Sequence, residues 1–144
     1  MKKVPLTIVG TLVLLMACQA RPPTWATDEL DICEAVFRYE FQKFDSWRHR
    51  NAQAYFISIP AGDPASEFLS RFKNHTPPIK PGSEFQMGKG LAFKIDKIKW
   101  SNKNGVKVSG GYYENPVAAY GIIYTVVRKN GKWVVEQEEM QWLA

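Results

Sequence analysis

From residue 28 onward the apolar positions recur first at spacings of three and four, and later at spacings of two. Leu30, Cys33, Phe37, Phe41 and Phe44 form one stripe, widened by Ile32, Val36 and Tyr39. This predicts a long helix from about Asp28 to Trp47, lying across a sheet. Thr27 or Asp28 can cap it, and Asp28, Glu29 and Asp31 suit its positive end. Tyr55, Ile57 and Ile59 then share a phase, which predicts a strand over Ala54 to Ile59, ended by Pro60. Asp63 as N-cap and Pro64 as first helical residue open a second, short helix with Phe68, Leu69 and Phe72 on its apolar side. His75 to Gly82, with three prolines, reads as an extended surface loop.

Beyond Leu91 the pattern is that of strands. Leu91, Phe93 and Ile95 share one phase; Ile98 and Trp100 share the other. A phase switch inside one strand is what a β-bulge produces, and it bends a sheet. Lys103-Asn104-Gly105 is expected to form a three-residue hairpin loop that pairs Trp100 with Val108 and Asn102 with Val106. Glu114-Asn115-Pro116 turns the chain again. Asn130-Gly131 is the strongest local signal, because a type I′ turn needs positive φ at both central residues. A two-residue loop there pairs Val127 with Val134, Val126 with Val135, and Arg128 with Trp133. Both faces near that turn are apolar, so one packs on the helix and the other needs a cover or lines a hollow.

The N-terminus follows a different logic. Lys2 and Lys3 precede a run from Val4 to Leu15 interrupted only by Pro5, Thr7, Gly10 and Thr11. Its length and flanks are those of a signal peptide, and it falls short of the roughly 20 apolar residues a membrane span requires. Behind it stands Leu15-Met16-Ala17-Cys18. This resembles the lipobox of bacterial lipoprotein precursors. The resemblance implies a signal peptide over residues 1–17 and diacylglyceryl attachment to Cys18, followed by cleavage before it and acylation of the new amino terminus. In that family Gln19, rather than Asp, after the cysteine implies the outer membrane, facing the periplasm. The competing reading is ordinary secretion with cleavage after Ala20. Residues 18–27 form a short tether containing Pro22 and Pro23, which favour extended backbone. Residues 28–144 are expected to form one domain.

Hydrophobic content of 45% is enough for a sizeable core. The formal charge of +5 falls when Lys2 and Lys3 leave with the signal, and there is no long basic run, so nucleic acid is not expected as a partner. If Cys18 carries lipid, Cys33 has no partner in the chain, and its place on the helix stripe predicts a buried thiol. Only two histidines occur. His49 suits a helix C-terminus, and His75 suits a loop support. No metal-ligand spacing, phosphate loop or nucleophile elbow is evident, and no cofactor or metal is expected. Glu136, Glu138 and Glu139 read as a wetted strand edge, with Glu136 and Glu138 sharing a face.

Helix, strand, helix and then four antiparallel strands, with a bent sheet around a long helix, resembles the cystatin-like α+β roll, including the NTF2-like superfamily. Ser109 to Glu114 and Val126 to Val135 are also similar to stretches of small uncharacterised bacterial proteins. The resemblance implies an α+β fold with a curved antiparallel sheet of four to five strands. It assigns no activity. In such a roll Trp100, Tyr112, Tyr120, Tyr124 and Trp133 are candidate pocket lining, with strand-borne aromatics filling a core as the competing reading. The expected role is a non-enzymatic, membrane-anchored binding module for an envelope protein or a small apolar ligand. The rivals are an enzyme using a polar group in the roll's cavity and a periplasmic immunity or inhibitor protein.

Overall fold

The computed structural model describes residues 24–44 and 51–144. The signal segment, Cys18 and His49 lie outside them. The fold is α+β, as the periodicities predict. Helix α1 spans Thr24–Lys43, β1 Ala54–Ser58, α2 Ser66–Leu69, β2 Ile79–Pro81, β3 Gly90–Asn102, β4 Gly105–Asn115, β5 Ala118–Lys129 and β6 Lys132–Leu143. The strands form one six-stranded sheet in the order β2-β1-β3-β4-β5-β6.

Two expectations about the sheet are corrected. It has six strands rather than four or five, and it is mixed, because β1 runs parallel to both β2 and β3. Ala54, Tyr55, Phe56 and Ile57 of β1 are all buried. Strands buried on both faces read as continuous apolar runs, and a parallel neighbour is where such runs occur. The added strand, β2, falls in the segment expected to be loop. Three residues are too few to show a period, and Pro81 is tolerated because β2 is an edge.

Helix α1 begins at Thr24, so four residues expected in the tether are helical. Ile32, Cys33, Val36, Phe37 and Phe41 are buried along it. Its apolar surface is wide because it has two neighbours. One flank meets the sheet; the other meets α2 and the 3-10 turn Ser70–Phe72, where Phe68 and Phe72 pack edge-on against Phe37. Arg71 fastens that turn to α1 through Asp31 (2.7 Å) and Glu34 (2.9 Å). The short helix is capped by Ala65, not Asp63. The Asp63 carboxylate accepts hydrogen bonds from the Ser83 amide (2.9 Å) and hydroxyl, tying the β1–α2 connection to a 3-10 turn over Gly82–Glu84. Those bonds, hydroxyl first, hold its carboxyl below the usual range.

The predicted phase switch in β3 is a bulge at Asp96, between the pairs Ile95–Gly110 and Lys97–Ser109. The β3–β4 hairpin is corrected. Trp100 pairs with Val106 and Asn102 with Gly105, so the loop is the two residues Lys103 and Asn104. A second bulge at Ser101 restores the phase that the three-residue loop was expected to supply. The Asn102 side chain accepts a bond from the Asn104 amide (2.8 Å) and holds the turn. At the β5–β6 turn the three predicted pairs are present, with Asn130 at φ 51° and Gly131 at φ 76°, and bulges at Glu136 and Gln141 shift the register further along.

Candidate functional site

The sheet has two unlike faces. Leu91, Phe93, Ile95, Val106, Val108, Tyr112, Ile122, Tyr124, Val126 and Trp133 are buried toward α1 in the core. On that side the aromatics close up rather than leaving room. Phe44 stacks on Tyr112 (4.7 Å), and Tyr112 packs on Tyr120 (5.1 Å).

Within this layer lies one buried acid, Glu40 on α1, 2% exposed. It accepts hydrogen bonds from Tyr120 Oη (2.6 Å) and Lys43 Nζ (3.0 Å), and the Tyr124 hydroxyl faces the same carboxylate. Lys43 also reaches Glu138 on β6 (2.8 Å), and the Tyr39 hydroxyl faces Glu138. Burial, then the charge of Glu40, push the Tyr120 and Tyr124 hydroxyls far above their usual range. Burial pulls Lys43 down, but its bonds to Glu138 and Glu40 outweigh that and raise it. A carboxylate with this set of donors is satisfied, and it holds α1 to β5 and β6. It is a clamp rather than a base with a free lone pair aimed at a cavity.

Sequence reasoning overlooked Glu40. The signal available was a carboxylate one position before Phe41, inside the apolar stripe. Glu138, read as a wetted edge, belongs to this clamp. A bulge at Glu136 sets it apart from Glu138, and Glu136 pairs with Lys129 (3.0 Å).

The five aromatic residues singled out from the sequence separate into groups. Tyr112 and Tyr120 are in contact (5.1 Å), and Trp100 meets Trp133 edge-on (5.7 Å) at the hairpin end. Trp133 is mostly buried, with its indole N–H 3.3 Å from Asp28 Oδ1. Tyr124 is a core residue, 1% exposed.

Among the described residues the other face carries no α-helix. There Phe85, from the segment after Gly82–Glu84, covers Phe56 and abuts Tyr113. Beside them a hollow of about 360 Å³ opens, lined by Phe85, Lys94, Asp96, Gly111, Tyr113 and Trp142 among others. Tyr112 and Tyr120 contribute to its lining; Trp100, Tyr124 and Trp133 do not. Register explains the shape. Lys94, Gly111, Gly121 and Trp142 are successive cross-strand partners over β3 to β6. Two glycines make a low floor between a lysine and an indole. A Cβ on Gly121 would lie 2.2 Å from Trp142 Nε1, so only glycine lets the indole lie against β5. A Cβ on Gly111 would lie 2.2 Å from the Tyr120 carbonyl oxygen, which the close approach of the strands there forbids. Trp142 stays 55% and Tyr113 38% exposed. Lys94 and Asp96 form an ion pair at the rim (2.7 Å).

A second hollow of about 460 Å³, by β1 and β2, is lined by Gln53, Lys80, Glu84, Gln86 and Lys89, and lacks exposed aromatics. Among the described residues no cluster of three or more His, Cys, Asp and Glu side chains stands ready for a metal ion, and no helix is long and apolar enough to cross a membrane. No protein-family model, no curated protein and no solved structure matches the chain.

Proposed function

We propose that this chain is a lipid-anchored bacterial envelope protein whose folded part is a non-enzymatic binding module, with the helix-free face of the sheet as its binding surface. One helix held against a bulged, bent sheet fits the cystatin-like roll that the element order resembles. The observation that carries the binding assignment is the hollow with Trp142 and Tyr113 left exposed beside a glycine floor. Large aromatic side chains at a concave site offer binding surface at little entropic expense. The satisfied state of Glu40 supports binding over catalysis, since its donors already occupy the one buried carboxylate among the described residues.

The anchoring assignment rests on Leu15-Met16-Ala17-Cys18 behind a charged start and an apolar run. Several acyl chains on one residue make a lasting anchor where a single chain binds only marginally. Intact mass of the protein extracted from membranes tests it. The expected product begins at Cys18 and carries acyl chains, and Cys18→Ala moves the protein into the soluble fraction. A mature chain starting at Arg21 without lipid overturns the assignment.

A further inference from the structure

The helix-free face carries a second feature, next to the hollow. Lys94, Lys97 and Lys99 stand along the same side of β3, the first two flanking the Asp96 bulge and the last two roughly 7 Å apart. Lys99 lies directly opposite Lys107 on β4. Like charges opposed across a sheet are destabilising. Lys107 donates to Thr125 (2.5 Å), and among the described residues no carboxylate pairs with Lys97, Lys99 or Lys107. The face's own carboxylates are Asp96, taken up by Lys94, and Glu139, three strands away from Lys97. An aromatic-walled hollow therefore adjoins a row of lysines whose mutual repulsion an anion would relieve.

We propose that this surface binds an acidic saccharide of at least two rings, with one ring seated against Trp142 and Tyr113 and the anionic substituent of the next held by Lys97 and Lys99, which stand outside the hollow further along β3. The reading deepens the binding role assigned above and rests on it. A pyranose ring has an apolar C–H face that packs on an indole or phenol ring, and an equatorial fringe of hydroxyls. The polar rim of Lys94, Asp96 and Ser58 can take up that fringe. The floor at Gly111 leaves depth for a ring, and the volume lies at the lower end of the range for small-ligand sites. A neutral apolar ligand would use the hollow and leave the lysine row unrelieved. A bare anion would use the lysines and leave Trp142 and Tyr113 idle. An acidic saccharide with one ring in the hollow and the next over the lysines uses both.

Titration of the full chain, purified in detergent and followed by tryptophan fluorescence and calorimetry, tests the assignment. The probes are trigalacturonate, chitotetraose, inorganic phosphate and the neutral dye N-phenyl-1-naphthylamine. Trigalacturonate is expected to bind roughly tenfold or more tightly than chitotetraose, a gap of about 1.4 kcal/mol that a charge-assisted contact supplies. Trp142→Ala and the double variant Lys97→Gln/Lys99→Gln are each expected to weaken it by roughly tenfold. Tyr113→Ala, at a separate place on the wall, gives the same answer should Trp142→Ala disturb β6. Equal binding of chitotetraose, or phosphate competing fully with no effect of Trp142→Ala, overturns the acidic-saccharide assignment. Binding of the dye alone in the hollow overturns the ligand class and leaves the binding module standing. Binding of none of the four overturns both, whereas the acyl chains on Cys18 are read separately by mass.

Discussion

At the scale of single residues, the chemistry of this chain is concentrated where polar groups have been buried and satisfied. Tyr120 donates to a charged acceptor in the interior, and bonds of that kind contribute about 1.5–3 kcal/mol each. Tyr120→Phe is expected to lower stability by about that amount in urea titrations, with less than additive loss when combined with Tyr124→Phe, since both serve Glu40. The same cluster fixes a pH dependence. Tyr39, Tyr120, Tyr124 and Lys43 all have raised values in the folded state. Their contribution is complete below the unfolded-state values, near 10 for Tyr and Lys, and is lost as pH rises beyond them. The melting temperature is therefore expected to fall above about pH 10, more steeply in the parent than in Tyr124→Phe; a profile flat to the alkaline limit contradicts the clamp. Cys33 adds to this trend. Burial, then the charge of Glu29, push its thiol up to about 12, and it is 1% exposed. Its reaction with a thiol reagent is expected to follow global unfolding rather than local opening, which hydrogen-exchange-style kinetics across a denaturant series will show.

At the scale of elements, the β5–β6 hairpin is the clearest case of local chemistry setting geometry. Gly131 at φ 76° has open space around a would-be Cβ, so Gly131→Ala suffers only from the left-handed backbone. The expected loss is about 1–2 kcal/mol by chemical denaturation. Legibility in the sequence tracks this locality. Asn130-Gly131 yields its register because the turn dictates it, and the Ile95-to-Ile98 phase change reveals the Asp96 bulge. The β3–β4 loop was misread because a bulge at Ser101 and a shorter loop do the same work as one longer loop. Strand β2 was missed because its pairing with β1 is non-local and its own sequence too short to carry a period. The same limit hid the site. Trp142, Tyr113, Gly111 and Lys94 come from three strands spread over some fifty positions, and only the register of the whole sheet sets them side by side. Glu40 was passed over because a helix stripe leads one to count apolar positions and to treat the acid between them as solvated.

At the scale of the whole molecule, the sheet is open, and its two edges differ. One ends in the three-residue β2 with Pro81; the other is the twelve-residue β6, with Met140, Trp142 and Leu143 exposed. A long apolar edge invites pairing with another chain unless charge or bulges interrupt it. Here bulges at Glu136 and Gln141 and the carboxylate of Glu139 do so. Glu139→Val is expected to raise the weight-average mass in sedimentation relative to the parent at equal concentration, and more so in high salt.

The strand order also sets a timetable. A chain delivered from its N-terminus presents α1 and β1 first, yet α1 packs on β3, β5 and β6, and β1 is flanked by β2 and β3. Phe37 and Phe41 can meet Phe68 and Phe72 early, but the sheet side of α1 must wait for cover until the last third of the chain arrives. The β3-to-β6 meander can zip up from its own hairpins as it emerges. The youngest part of the polypeptide thus becomes the template on which the oldest part completes its packing, and a chain cut short before β5 would leave its first helix without the strand it touches most, β6.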